Sequence, residues 1–162
     1  KIGFTGAEKA DRRTYAEQAD EILGPGLDLN DVQSLCANAK FCHRGGDVWR
    51  LTATVSDPES VGIAIADARD CPSGRLVALS KQTGEQLEPD FEPSISVVEI
   101  PASGLSGPLW VKGGIPIESA DGWRYEIRNR VTLCRCGKSR NMPFCDGTHI
   151  TVGFNDNDES VS

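Results

Sequence analysis

Between Cys134 and His149 the chain places three thiols and one imidazole inside sixteen residues, in the order C-x-C-x8-C-x3-H. A loop this short cannot bury a core of its own, so a bound metal rather than side-chain packing is expected to organise it. Thiolates are soft, strongly donating ligands suited to iron–sulfur clusters and to zinc, and imidazole is a borderline donor. Cys134 and Cys136, two apart, can both grip one metal from a single extended turn. Zinc knuckles more often use C-x2-C or wider spacings. Cys145 and His149 are four apart and share one face of a short helix. Pro143 ahead of them, with Asp146 and Gly147 just inside, predicts a sharp turn into that helix. Asp146 is expected either to cap the turn or to accept a hydrogen bond from the His149 ring. A structural zinc site is the alternative on ligand type, and disulfides are disfavoured by an imidazole set among the thiols.

The spacing resembles that of the CDGSH (NEET-type) iron–sulfur family, with Thr148 where the family usually has serine. Gly107-Pro108-Leu109-Trp110-Val111-Lys112-Gly113-Gly114 and Asp121-Gly122-Trp123-Arg124-Tyr125-Glu126-Ile127 resemble the strand pair that precedes the cluster loop in bacterial members. Val152-Gly153-Phe154 is similar to the stretch after the histidine, so the resemblance covers about residues 97–155. It implies a [2Fe-2S] cluster held by Cys134, Cys136, Cys145 and His149, one iron on each pair.

The chain holds six cysteines and two histidines. Setting the first group aside leaves Cys36, Cys42, Cys71 and His43, a second set of the same make-up in the other half. Cys36-x5-Cys42, followed much later by Cys71-Pro72-Ser73-Gly74, resembles the divergent ferredoxin-like domain that bacteria fuse to a CDGSH module. Proline directly after the last cysteine also recurs in bacterial ferredoxin runs. A second iron–sulfur cluster is implied. Three thiolates suit a [3Fe-4S] cluster, whereas adding His43 permits a [2Fe-2S] cluster with four ligands, the favoured reading. The family often carries a histidine between the first two cysteines, where this chain has Asn38. His43 is thus either the fourth ligand or a surface side chain beside Arg44-Gly45-Gly46.

Aromatic residues make up only 6% of the chain, thin for two independent cores, and metal organisation would compensate. The expected fold class is α+β, mainly β: a small cluster-organised, two-part protein with short antiparallel strands and a few helices. Residues 1–34 form a polar N-terminal extension with a helix over 12–23, ended by Gly24-Pro25-Gly26. Residues 35–80 form the ferredoxin-like part. Val48–Val55 reads as a strand there, and Ser56-Asp57-Pro58-Glu59 opens a helix running to about Ala68. That helix would carry Cys71 back toward Cys36 and Cys42. Leu76–Leu79 is a short strand, and residues 81–96 are a polar connector. Residues 97–155 are the CDGSH part. Four extended segments, Ile95–Ile100, Leu109–Val111, Trp123–Ile127 and Arg130–Leu133, run through or into it. Residues 156–162 are an acidic tail.

No nucleotide-binding glycine motif and no nucleophile–base constellation is present, so the chain is expected to be a carrier and not an enzyme. Electron transfer is the leading reading, and cluster donation or redox sensing the alternative, with a structural zinc module behind both. Trp110, Trp123 and Tyr125 either line the cluster pocket or pack the core. Lys138 and Arg140 in the ligand loop either tune the centre or are solvated charges. A redox protein or an apo-protein acceptor would be the partner, and the chain a monomer or a homodimer. The net charge of −7 argues against nucleic acid. No apolar run reaches the ~20 residues of a membrane span, and no signal peptide is expected. The chain opens at Lys1 and not at Met, so further residues are expected ahead of it. Thiols in ligand spacing point to a reducing compartment, taken as the bacterial cytoplasm.

Overall fold

A computed structural model describes residues 8–157. The parts of the N-terminal extension and acidic tail assigned to 1–7 and 158–162 lie outside the described residues. Two three-stranded antiparallel sheets carry the fold, which is α+β with β prominent.

The first sheet begins where a helix was expected. Only Tyr15–Gln18 (α1) is helical, a single turn closed by a reciprocal capping box between Thr14 and Glu17. The chain then runs as Asp20–Leu23 (β1), turns at Gly24–Gly26, and returns as Leu27–Asp31 (β2). Leu76–Ser80 (β3) completes the order β1-β2-β3. A helical stripe of Tyr15, Ala19, Ile22 and Leu23 competes here with a period-two signal in Leu27-Asp28-Leu29-Asn30-Asp31. The second wins because Leu27 and Leu29 reach the core while Leu23 stays exposed.

The stretch Val48–Val55 is helix, not strand: Val48–Thr54 (α2). Its β-branched content favours a strand, but the Asp47 carboxylate accepts from the Arg50 backbone N–H and caps a turn. Val48, Leu51 and Thr52 then fall on one buried face. Burial at a helical period outweighs propensity differences of under ~1 kcal/mol per residue. Pro58–Arg69 (α3) begins as expected, with Asp57 capping Ser60 and Pro58 at the first helical position. Ala64 and Ala68 of α3 pack with Leu27, Leu29, Val48, Leu51, Leu76 and Ala78 in the core of the N-terminal half.

Ser94–Ile100 (β4), Leu105–Lys112 (β5) and Arg130–Leu133 (β6) form the second sheet in the order β4-β5-β6. Trp123–Ile127 is not one of its strands. A single bridge joins Glu118 to Arg124, and only Tyr125 of that segment is buried, its N–H donating to the Ile117 carbonyl. The loop is held by isolated contacts because Trp123 and Ile127 face outward and offer the sheet no apolar face. Thr148–Thr151 (α4) follows the thiol loop.

A second core is shared between the two halves. Tyr15, Val32, Leu35 and Val77 from the N-terminal half pack with Val111, Ile117, Tyr125, Val131, Leu133 and Phe144. The Tyr15 hydroxyl lies 3.0 and 2.8 Å from the Asn30 and Arg75 carbonyls.

Arg130 is the second tie. It opens β6, is 1% exposed, and sends its guanidinium into the other half. Nε donates to the Cys71 carbonyl at 2.7 Å, and Nη2 to those of Ala68 and Leu76 at 3.0 and 3.1 Å. Nη1 meets the Glu88 carboxylate. Arg128 adds bonds to the Ser73 and Gly74 carbonyls at 2.9 and 2.8 Å. Arg130→Met would take the cation from the Glu88 carboxylate and a charged donor from three carbonyls, and breaking a buried charged network costs roughly 3–5 kcal/mol. We expect a loss of that size in chemical denaturation, and an unchanged midpoint would show that the network is dispensable.

Candidate metal centres

The C-terminal centre is built from a loop pinned at its base to β6. The Cys134 N–H donates to the Pro143 carbonyl and the Cys145 N–H to the Thr132 carbonyl, at 2.8 and 2.9 Å. The buried Ser139 hydroxyl donates to the Phe144 carbonyl at 2.6 Å. Phe144 packs edge-on against Tyr125, so that tyrosine supports the loop from the core, whereas Trp123 remains well exposed.

The four side chains meet as two pairs. Cys134 Sγ lies 3.5 Å from Cys136 Sγ, and Cys145 Sγ lies 3.3 Å from His149 Nδ1. Two sulfurs at ~2.3 Å from one tetrahedral metal stand about 3.7 Å apart, and a sulfur and a nitrogen about 3.6 Å. Each pair therefore has the bite of a single metal, and the donor set fits a centre with two metal positions. Among the described residues, no three Cys, His, Asp or Glu side chains converge on one ion.

His149 is buried on α4, one turn beyond Cys145. Asp146 serves the turn, not the imidazole: its carboxylate accepts from the Thr148 and Arg140 backbone N–H groups at 3.0 Å each. Burial pushes the Asp146 carboxyl up, but those hydrogen bonds prevail and hold it at about 2. Arg140 also reaches this carboxylate, at 3.5 Å. Burial pushes the Cys145 thiol up to about 12 and also raises Cys136, so without a cation both hold their protons. Burial likewise lowers the His149 pKa below its ordinary 6.5, which the nearby Asp146 charge only partly offsets. The neutral imidazole, the form that binds metal, is thus favoured.

That depression has a pH signature. Below pH 6.5 the unfolded chain takes up the His149 proton more readily than the folded one, so folded stability falls as pH falls. Between pH 7 and 5 the metal-free protein should lose denaturant resistance, and His149→Gln should flatten that slope. Parallel slopes in the two proteins would remove His149 as the cause.

The N-terminal thiols come from three separate places. Cys36 follows the single turn Gln33–Leu35, Cys42 lies in the turn Phe41–His43, and Cys71 follows α3. All three line one small cavity, together with Arg75 and Leu76. Arg75 grips Asp31 through two bonds of 2.6 and 2.7 Å. Burial, with Cys71 and Cys36 nearby, raises the Cys42 pKa. Cys71 Sγ stands 3.6 Å from the Ser73 hydroxyl. Three soft donors around one hollow fit a metal–sulfur centre.

His43 is not brought to them. Its ring lies 5.5 Å from that of Trp49, and Nδ1 is 3.8 Å from the Asp47 carboxylate on an open surface. Successive residues of a tight turn diverge by about 120°, so when Cys42 faces inward, its neighbour faces out. Arg75, Arg128 and Arg130, which surround this site, carry no local sequence signal, since their partners lie dozens of residues away.

The two loops touch. Gly147, midway between Cys145 and His149, has φ +82° and sits so close to the other loop that a Cβ there would lie 2.8 Å from Asn38 Cβ. Asn141 Nδ2 donates to the Ser34 carbonyl at 2.8 Å. Gly147→Ala meets both the left-handed backbone penalty, roughly 1–2 kcal/mol, and that collision. Asn38→Gly in the same chain should recover the part due to the collision only. Strict additivity of the two stability changes would mean that the loops are not in contact.

Such thiol and imidazole sets define the chain as one with iron–sulfur cluster-binding domains. Residues 106–150 match the model of the iron-binding zinc finger family of CDGSH type, and residues 22–81 that of the divergent 4Fe-4S mono-cluster family. The protein is a fusion of these two families, ferredoxin-like domain first and CDGSH domain second. No curated protein and no solved structure gives a match. Among the described residues, no helix is long and apolar enough to cross a membrane.

Proposed function

We propose that the chain carries two iron–sulfur clusters and serves as a small electron-transfer protein, not as a catalyst of substrate turnover. One observation carries this reading: the two thiol-bearing loops are in direct contact through Gly147 and Asn38. With two residues on either side, at ~3.8 Å per residue, the Cα atoms of Cys36 and Cys145 lie within roughly 20 Å of each other. Two isolated metal modules on a linker would have no need of such closeness.

Cys134 and Cys136 would hold one metal of a [2Fe-2S] centre, and Cys145 and His149 the other. At the N-terminal site Cys36, Cys42 and Cys71 supply three ligands. The matched family is named for a 4Fe-4S cluster, but this site offers only three thiols. With His43 turned away, a [3Fe-4S] centre, or a four-iron centre completed from outside the set, suits it better than a second [2Fe-2S]. The clusters would supply one-electron chemistry. The protein's own part is to fix the ligand pairs, keep His149 neutral and hold the two sites together through Arg128 and Arg130. A redox protein of the reducing bacterial cytoplasm is the partner this reading calls for.

Iron and acid-labile sulfide per chain, measured on anaerobically purified protein with EPR and a potentiometric titration, test the proposal. Five or six iron and two separate reversible couples are expected. Zinc without sulfide, or clusters that pass to an apo-acceptor before they can be reversibly reduced, would defeat the electron-carrier reading.

A further inference from the structure

Next to the contact between the two halves lies a cavity of about 410 Å³. The N-terminal half contributes Phe41 and Pro72, with the exposed Arg44, Arg69 and Asp70, and the other half Phe91, Ile100, Trp110 and Thr132, with His149 at one side. No cysteine of either set lines it, and His149 Nδ1 is turned to Cys145, so the space is distinct from both thiol sets. Its volume falls in the range of small-molecule sites, which are mostly apolar with a few placed polar groups.

Two such groups rise from the sheet. Trp110 on β5 and Thr132 on β6 are direct cross-strand partners, so their side chains rise from the same face of the sheet, about 5 Å apart at Cβ. Trp110 Nε1 and Thr132 Oγ1 are both buried and have no hydrogen-bond partner among the described residues. Thr132 is only 2% exposed. Lys112 covers the indole ring from 4.2 Å, and Phe91 meets it edge-on. Buried polar groups are satisfied as a rule, and each of these two lacks a partner. An indole N–H only donates, and a hydroxyl is free to donate. An oxygen with two lone pairs, a carbonyl, would accept from both, and the aromatic and aliphatic walls suit a flat, uncharged ring system.

We propose that this cavity binds a planar aromatic molecule bearing a carbonyl oxygen, received by Trp110 Nε1 and Thr132 Oγ1. The site stands on the cavity and its two donors, independently of what the thiol sets hold.

Coumarin, with 2H-chromene as its counterpart lacking the carbonyl, tests this by equilibrium dialysis against the full, as-purified chain. Coumarin should bind with a Kd on the order of tens of micromolar, and chromene about tenfold more weakly. Thr132→Val, nearly the same shape, should weaken coumarin about tenfold and leave chromene unchanged. Ile100→Trp, which puts an indole into the cavity, should weaken both. Circular dichroism and the visible spectrum establish that each variant is folded. Equal affinity for the two compounds, undiminished coumarin binding in folded Thr132→Val, or no coumarin binding at all would overturn the assignment.

Discussion

The Arg130 guanidinium, beside the shared core, fixes how the two halves of this molecule meet. Arg130 starts a strand in the second sheet, yet its hydrogen bonds go to the Ala68, Cys71 and Leu76 carbonyls of the other half. Those carbonyls belong to the end of α3, the residue bearing the third N-terminal thiol, and the start of β3. Two of them also accept backbone N–H groups, Ala68 from Cys71 and Cys71 from Gly74. Arg130 adds a charged donor to each, and in doing so sets the Cys71 loop relative to β6, from whose end Cys134 emerges. The position of one thiol set is therefore mechanically tied to that of the other.

Burial governs the chemistry at both sites in the same way. It raises Cys42, Cys136 and Cys145 and lowers His149, each time favouring the uncharged form. Metal loading must then displace protons from the thiols, while the imidazole is already in its ligating form. The sites differ in how ligands are delivered. Three of the four C-terminal donors sit on one hydrogen-bonded loop, the fourth on the turn that Asp146 closes. The N-terminal three come from a loop, a tight turn and a helix end, and need the tertiary fold to meet.

Several elements resisted reading. Val48–Thr54 has a strand-like composition, and only the Asp47 cap and the docking of Val48 and Leu51 make it α2. The residues after Thr14 show a helical stripe, but the chain turns at Gly24–Gly26 because Leu27 and Leu29 bury more apolar surface as β2. Trp123–Ile127 looks extended and finds no neighbouring strand. Conversely, Asp57-Pro58 and the alanines behind it state α3 locally, and Arg130–Leu133 is a strand in both readings, since those signals lie within the element itself.

What the sequence determined by itself is the chemistry: the C-x-C-x8-C-x3-H order, a second set of thiols, and the two families to which these belong. Ligand spacing is a local property, legible wherever donors lie within a turn or two of one another. Only the tertiary structure decided that Cys36, Cys42 and Cys71 share one hollow, that His43 turns away to Trp49, and that Gly147 rests on Asn38. It alone opened the cavity beneath Trp110 and Thr132. Each of these depends on residues far apart in the chain, and their meeting is set by the shared core and by Arg130, for which no local spacing speaks.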